Sequence, residues 1–322
     1  MTPIRVAIAQ EAPIFLNLAA SVAKAREIIA KAAAEDIQLL AFPETWLPGY
    51  PVWLDDSPRA GLWDEPGTRA VYRILAENSL SLDGPEVAQL REAAAENSIT
   101  VVMGIHERRG NTLYNTILFL HEDGRQVTVH RKLMPTYTER LIWGRGDGST
   151  LKAMNTPFGR LGGLICWEHW MPLARAALHA RRETVHVAQW PMVKEMNLVA
   201  SRHYAFEGRC FVLASGAVLT REQVLEGYRS VGGPAEGLEL LAAIPETEGE
   251  YLQTGGSAII APDGRLLAGP LYDQPGFVRA ELDPREITEG LLTLDSDGHY
   301  SRPDVFRLEI NEQPQENVRW RS

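Results

Sequence analysis

Short uninterrupted apolar runs alternate along this chain with apolar residues at helical spacing, a rhythm that predicts strands joined by helical crossovers. Ile4–Ala9 reads as a buried strand, and Asn17 then caps a long Ala-rich helix in which Leu18, Val22, Ala25, Ile29 and Ala32 share one face. Gln38–Phe42 is a second strand, Pro85–Asn97 a helix with proline in its first turn, and Ile99–Ile105 a third strand. Leu113–His121 and Gln126–Arg131 flank Glu122-Asp-Gly-Arg125 and should pair as a hairpin, since Asp-Gly supplies a tight turn. The rhythm then repeats. Leu161–Cys166, Val185–Gln189 and Phe211–Ser215 read as strands separated by the helices Met171–Arg181 and Lys194–Glu207, and a second hairpin, Ser257–Leu267, turns at Pro262-Asp-Gly-Arg265. Such alternation implies a helix-covered α/β sheet made mixed by its hairpins, and the two similar halves read as one pseudo-symmetric domain.

Two stretches leave this rhythm. Leu54–Leu82, with Pro58, Gly61, Pro66 and Gly67, reads as a polar insertion, and so does Leu219–Thr254, which between Arg221 and Glu250 carries two arginines against seven glutamates. Neither reads as core, and loops of this length in a compact domain usually serve function or an interface. The tail after Pro303 is mixed in charge, with Val305, Phe306, Leu308, Ile310 and Trp320 as its apolar residues.

Composition narrows the partners. A chain of 322 residues that is 45% apolar can bury a substantial core, and a net charge of −10 argues against a nucleic-acid backbone or an anionic membrane as its partner. Met1-Thr-Pro3 runs straight into the first strand without the pattern of a signal peptide, and no apolar run approaches the ~18 residues of a membrane span. Cys166 and Cys210 are too few for a disulfide framework, so the expected setting is a reduced cytoplasm. His169 follows Cys166 at a spacing that could mark half a zinc site. With no second Cys/His pair, no metal and no cofactor are expected, and His169 is read as supporting Cys166 at most.

Three segments carry candidate chemistry. Cys166 ends the apolar run of Gly159-Arg-Leu-Gly-Gly-Leu-Ile-Cys-Trp-Glu-His169, at a strand-to-helix turn whose backbone N–H groups favour a thiolate. Glu44 closes Ala41-Phe-Pro-Glu44, where burial at a strand end raises a carboxylate toward general-base range. Lys132 and Glu139 lie in His130-Arg-Lys-Leu-Met-Pro-Thr-Tyr-Thr-Glu-Arg140. Each has a plainer reading alone: a core thiol, an arginine-paired glutamate, a solvated lysine. Cys210, which opens an apolar run without charged companions, keeps that plain reading. Tyr50, Trp53, Trp143, Trp167 and Trp190 are candidates for an apolar pocket, with ordinary core as the alternative for each.

Taken together, the three segments resemble the nitrilase branch of the carbon–nitrogen hydrolase superfamily, whose members share a Glu, Lys, Cys triad in this chain order. The likeness extends from Ile4–Gln10 to Asp297-Gly-His-Tyr-Ser-Arg-Pro-Asp304, and Cys166-Trp-Glu168 suits the nitrilase branch better than the Cys-Tyr-Asp of amidase branches. It implies a four-layer α-β-β-α sandwich of two mixed sheets flanked by helices, as one domain over residues 1–300 with insertions at 54–82 and 219–254. A tail over 301–322 would lie at a subunit interface. It further implies Cys166 as nucleophile, Glu44 as proton acceptor and later base for water, and Lys132 with the backbone N–H of Trp167 as stabilisers of the tetrahedral intermediate. Glu139 would position the lysine or the substrate, and Tyr50, Trp167 and Trp190 would contact the substrate. The implied reaction converts a small-molecule nitrile and two waters to a carboxylic acid and ammonia in a homo-oligomer, a dimer or larger that can extend into a spiral. An aliphatic amidase or carbamoylase, a cyanide-degrading enzyme and a catalytically silent scaffold are the alternatives.

Overall fold

A computed structural model describes residues 2–125, 127–247 and 249–316; Gln126 and Trp320, named above, lie outside the described residues. The first half runs β1 (Ile4–Gln10), α1 (Leu18–Ala34), β2 (Leu39–Ala41), α2 (Trp53–Asp56), α3 (Pro66–Glu77), α4 (Pro85–Glu96), β3 (Thr100–Arg109), β4 (Thr112–Leu120) and β5 (Val127–Arg131). Asn17 caps α1 by accepting the Ala20 N–H, and Pro85 opens α4 where its missing N–H costs nothing. The second half runs β6 (Met154–Thr156), β7 (Gly159–Ile165), α5 (Pro172–His179), β8 (Val185–Gln189), α6 (Glu195–Gly208), β9 (Phe211–Ser215) and β10 (Val218–Thr220). It continues through α7 (Arg221–Ser230), α8 (Ala235–Ala242), β11 (Tyr251–Ile260), β12 (Leu266–Tyr272), β13 (Gly276–Leu282) and α9 (Arg285–Leu291).

The strands form two mixed sheets. The first has the order β13-β1-β2-β3-β4-β5, with β1, β2 and β3 parallel; the second has the order β10-β11-β9-β8-β7-β6, with β7, β8 and β9 parallel and β12 hanging on β11. Both expected hairpins are present, Leu120 facing Val127 and Ile260 facing Leu266 across their Asp-Gly turns. The halves are not self-contained, because β13 crosses back to pair antiparallel with β1.

Alternation along the strands sets the layers. In β1, Val6 and Ile8 point into a core shared with Leu161, Val187 and Leu213 of the second sheet, while Ala7 and Ala9 point the other way, onto Val22, Ala25 and Ile29 of α1. The core beyond the second sheet is completed by Ala177 and Leu178 of α5 and Ala200, Tyr204 and Ala205 of α6. The result is the four-layer α-β-β-α sandwich, with α1 and α4 outside one sheet and α5 and α6 outside the other.

The insertions differ from expectation. They are not polar loops but helices that bury Val71, Ile74 and Leu75 of α3 against Val224, Leu225, Tyr228, Leu240 and Leu241 of α7 and α8, forming a third apolar cluster. Gly67 packs so close to the Glu236 carbonyl that a Cβ there would come within 2.6 Å of it. The apolar residues of each insertion are spaced to meet the other insertion, far away in sequence, and so left no legible core within either stretch. The tail's Val305 and Phe306 remain exposed, while its later part returns to its own subunit through the Gln315 N–H donating to Asp147.

Candidate active site

Glu44, Lys132 and Cys166 stand at the ends of β2, β5 and β7, three strands from two sheets whose carboxyl ends converge. The Glu44 loop is pinned from both sides. Its N–H donates to the Trp190 carbonyl at 3.4 Å, Gln189 donates to the Phe42 carbonyl at 2.9 Å, and β3 passes so close that a Cβ on Gly104 would sit 2.1 Å from the Pro43 oxygen. Cys166 opens the 3₁₀ turn Cys166–Trp170 with φ +52°, a left-handed conformation that costs a non-glycine residue of order 1–3 kcal/mol and is typical of functional turns.

The side chains meet in a buried cluster. Lys132 Nζ donates to Glu44 Oε1 at 2.9 Å and to Glu139 at 2.7 and 3.0 Å, and one atom each of Glu44, Glu139 and Cys166 lie within 4.8 Å of one another. Asn115 Nδ2 on β4 donates to the same Glu44 oxygen at 2.7 Å, leaving Glu44 Oε2 buried without a partner and free to take a proton. Glu139 also accepts from the Tyr50 hydroxyl at 2.9 Å and from the Thr136 N–H at 2.6 Å. Although Glu44, Glu139 and Cys166 form a group of potential metal ligands, the Lys132 ammonium already bonds both carboxylates, so the cationic position is filled by the protein itself.

Electrostatics assign the resting protons. Burial raises Glu44 to about 7, with Lys132 opposing the rise and the Glu139 charge adding to it. Burial also pushes Lys132 toward neutrality, but Glu44, Cys166 and Glu139 more than offset it and keep the ammonium charged. The Cys166 thiol is pushed well above its ordinary range, first by burial and then by the Glu44 charge, with Lys132 and the Trp167 N–H pulling the other way. This corrects the expectation of a preformed thiolate: the resting nucleophile is a thiol beside a carboxylate poised to accept its proton. A pH profile checks this: because Glu44 must be ionised, kcat/KM should fall as pH drops from about 7 to 5, and a value unchanged down to pH 5 would contradict the assignment.

A second carboxylate fixes the frame. Glu168 accepts the Ile165 N–H at 2.7 Å, the Leu133 N–H at 2.8 Å and His130 Nε2 at 2.9 Å, so it ties the end of β7 beside Cys166 to the end of β5 beside Lys132. Burial works against both charges, yet Glu168 holds His130 above the usual imidazole range, and His130 with the two amides holds Glu168 below the usual carboxylate range. From sequence Glu168 entered only as part of the Cys166-Trp-Glu168 signature, without a role, and Asn115 was not singled out; the signal for Asn115 was a polar residue within the largely apolar β4.

Cys166 and Glu139 of this cluster open onto a cavity of about 620 Å³ whose lining also includes Tyr50, Tyr137, Trp167, Met192 and Met196 together with the charged Asp55, Lys194 and Glu195. Tyr50 and Trp167 are among its lining residues. Trp190 forms part of the wall, but its indole is fully buried, stacked on His169 at 4.8 Å and donating to Ser201. Trp143 lies behind the site, buried, with Lys132 Nζ 5.9 Å over its ring, while Trp53 is core of the third cluster. Cys210 is fully buried at the foot of β9, as its plain reading required.

Comparison with known proteins agrees with this geometry. The family model for carbon–nitrogen hydrolases matches residues 5–290. The chain is 39% identical to a nitrilase of Pseudomonas syringae pv. syringae (strain B728a), over 97% of this chain and 91% of that one, and 38% identical to "Nitrilase 1" of Arabidopsis thaliana, over 98% and 89%. A carbon–nitrogen hydrolase from Helicobacter pylori G27 superposes with a TM-score of 0.67 at 16% identity, covering 95% of this chain and 99% of that one, and so shares the fold.

Proposed function

The chain belongs to the carbon–nitrogen hydrolase family, and from that premise we propose that it is a nitrilase, hydrolysing an organic nitrile to the carboxylic acid and ammonia through a covalent cysteine intermediate. The observation that carries the reading is the convergence of Glu44, Lys132 and Cys166 in one buried cluster that opens onto a cavity through Cys166 and Glu139. As Cys166 Sγ attacks the nitrile carbon, Glu44 accepts the thiol proton and passes it to the nitrile nitrogen, giving a thioimidate. Glu44 then deprotonates a water that adds to the same carbon, and Lys132 and the Trp167 N–H stabilise the tetrahedral species. Ammonia leaves, a second water hydrolyses the thioester, and the thiol is restored. The preserved triad speaks against a silent scaffold, and the full-length relatives named as nitrilases favour nitriles over the amides or carbamoyl compounds that the same triad could serve.

An apolar, aromatic-lined cavity of this size suits a nitrile bearing an aryl group. Ammonia release from arylacetonitriles should therefore exceed that from short amides and from free cyanide; faster turnover of either would promote the amidase or the cyanide-degrading alternative.

The reading extends to a homo-oligomer, dimeric at minimum, working in the cytoplasm on small molecules without nucleic acid or membrane. Among the described residues no helix is long and apolar enough to cross a membrane. Trp63 in the first insertion is 93% exposed and Phe306 in the tail 78%, apolar surface that a second copy would cover at low cost. Light scattering across a dilution series should show an assembly whose size varies with concentration. A monodisperse, active 35.8 kDa species would refute it.

A further inference from the structure

Behind Cys166 lies a run of buried polar groups that the chemistry above does not use. His169 Nδ1 is 2.8 Å from the Cys166 carbonyl, His169 Nε2 is 3.0 Å from His186 Nε2, and His186 Nδ1 is 3.0 Å from Glu183 Oε1. Tyr204 donates its hydroxyl to Glu183 Oε2 at 2.5 Å. The strand makes room for this: a Cβ on Gly162 would fall 1.7 Å from Glu183 Oε1. His169 and His186 are at most 1% exposed, so water cannot replace a missing link.

Hydrogen-bond direction is fixed along the run. The Cys166 carbonyl only accepts, so His169 carries its proton on Nδ1 and, being neutral, presents a bare Nε2. His186 must then donate from Nε2, and its Nδ1 meets Glu183 with a satisfied bond only if one proton lies between them. Without that proton a bare nitrogen faces a carboxylate. Shifting the tautomers to repair that contact moves the defect along the run until His169 no longer donates to Cys166.

We propose that His169, His186 and Glu183 are positioning residues, a hydrogen-bond chain ordered by one shared proton that holds the Cys166 backbone in the left-handed conformation from which its sulfur attacks. The surroundings suit a proton held near neutrality. Burial is the main cause raising Glu183 to about 7, while Tyr204 from α6, His179 from α5 and His130 from β5 lower it; Cys210, just before β9, is a buried thiol that burial and the Glu183 charge push up. Glu168 and Arg175 face the His169 end, Arg175 donating to the His169 carbonyl at 3.0 Å while paired with Glu207. Glu183 also lines a small surface cavity of about 230 Å³ with Arg182, Arg209, Asp295 and Asp297. The chain is thus complete below the Glu183 ionisation and broken above it.

The proposal rests on Cys166 being the nucleophile, so its test includes a readout independent of nitriles. The rate of Cys166 alkylation by iodoacetamide, located by peptide mass spectrometry, is measured against pH for the parent, Glu183→Gln and Glu183→Ala, together with kcat and KM for a nitrile. The glutamine amide donates to His186 at every pH. The parent-to-Gln ratio of alkylation rates should therefore stay level on the acid side and fall as pH rises through about 7. Glu183→Ala should lose kcat on the order of 100-fold with KM nearly unchanged, as expected when a reacting atom is misplaced by about 1 Å. Parent-like alkylation and kcat in Glu183→Ala, or equal damage in a folded Glu183→Gln, would overturn the chain. Should the alanine variant not fold, a pH-independent parent-to-Gln ratio overturns it alone. If the alkylation pattern holds but no nitrile is hydrolysed by the parent, the nitrilase reading fails and the chain stands.

Discussion

Cys166→Ala should release no measurable ammonia from any nitrile while keeping the fold, a loss on the order of 10⁶-fold or down to background. The reaction passes through a bond from sulfur to carbon, and the carboxylates of Glu44 and Glu139, each with an oxygen within 4.8 Å of the cluster's other ligand atoms and each bonded to the Lys132 ammonium, are poor substitutes for it. The small loss of buried volume at a residue only 6% exposed costs stability but leaves the Glu168 clamp intact, so an unchanged circular dichroism spectrum accompanies the loss. Cys210→Ala is the control, expected to keep most activity because its thiol lies in the core, where burial pushes it well above its ordinary range. Substantial turnover by Cys166→Ala would sink the assignment.

Glu44→Gln and Lys132→Ala should each cost about 10⁴-fold in kcat/KM, and the double variant scarcely more than either. Among the described residues Glu44 is the carboxylate of this cluster with a free oxygen, and Lys132 holds its other oxygen at 2.9 Å. Independent contributions would multiply to roughly 10⁸-fold, whereas members of one unit lose their common function once. Lys132→Ala also leaves two carboxylates buried without a counter-ion, a change that destabilises by about 3–5 kcal/mol when one partner of a buried pair is removed. Thermal melts of both variants therefore accompany the kinetics, with Lys132→Met, closer in volume, as the packing control. A double variant showing the full product of the single losses would contradict the shared unit.

How far the sequence exposed this site follows from which interactions are local. Cys166 and Glu44 each close a continuous apolar run and Lys132 follows the β-branched run Val127-Thr-Val129, so their placement at strand ends was readable, and the Asp-Gly turns marked both hairpins. Glu139 was readable by resemblance, and the structure adds the reason for its place: it bonds Lys132, Tyr50 and the Thr136 amide together. Interactions between distant segments were not readable. Glu168 reaches His130 across 38 positions, and α3 packs on α8, which lies far away in sequence. The state of the thiol was missed for a related reason. Proximity to a lysine argued for a thiolate, but two carboxylates and full burial outweigh one ammonium.

The most direct test of the account follows Cys166 itself during turnover. The parent enzyme, acid-quenched while hydrolysing a slow nitrile, is digested and the peptide spanning Gly159–His169 weighed, with iodoacetamide added to parallel samples before the quench. The account predicts an added mass matching the thioimidate or thioester on Cys166, together with protection of that thiol from alkylation in proportion to saturation by the nitrile. An adduct on Cys210 or elsewhere, or steady ammonia release while Cys166 is alkylated at its substrate-free rate, would contradict it.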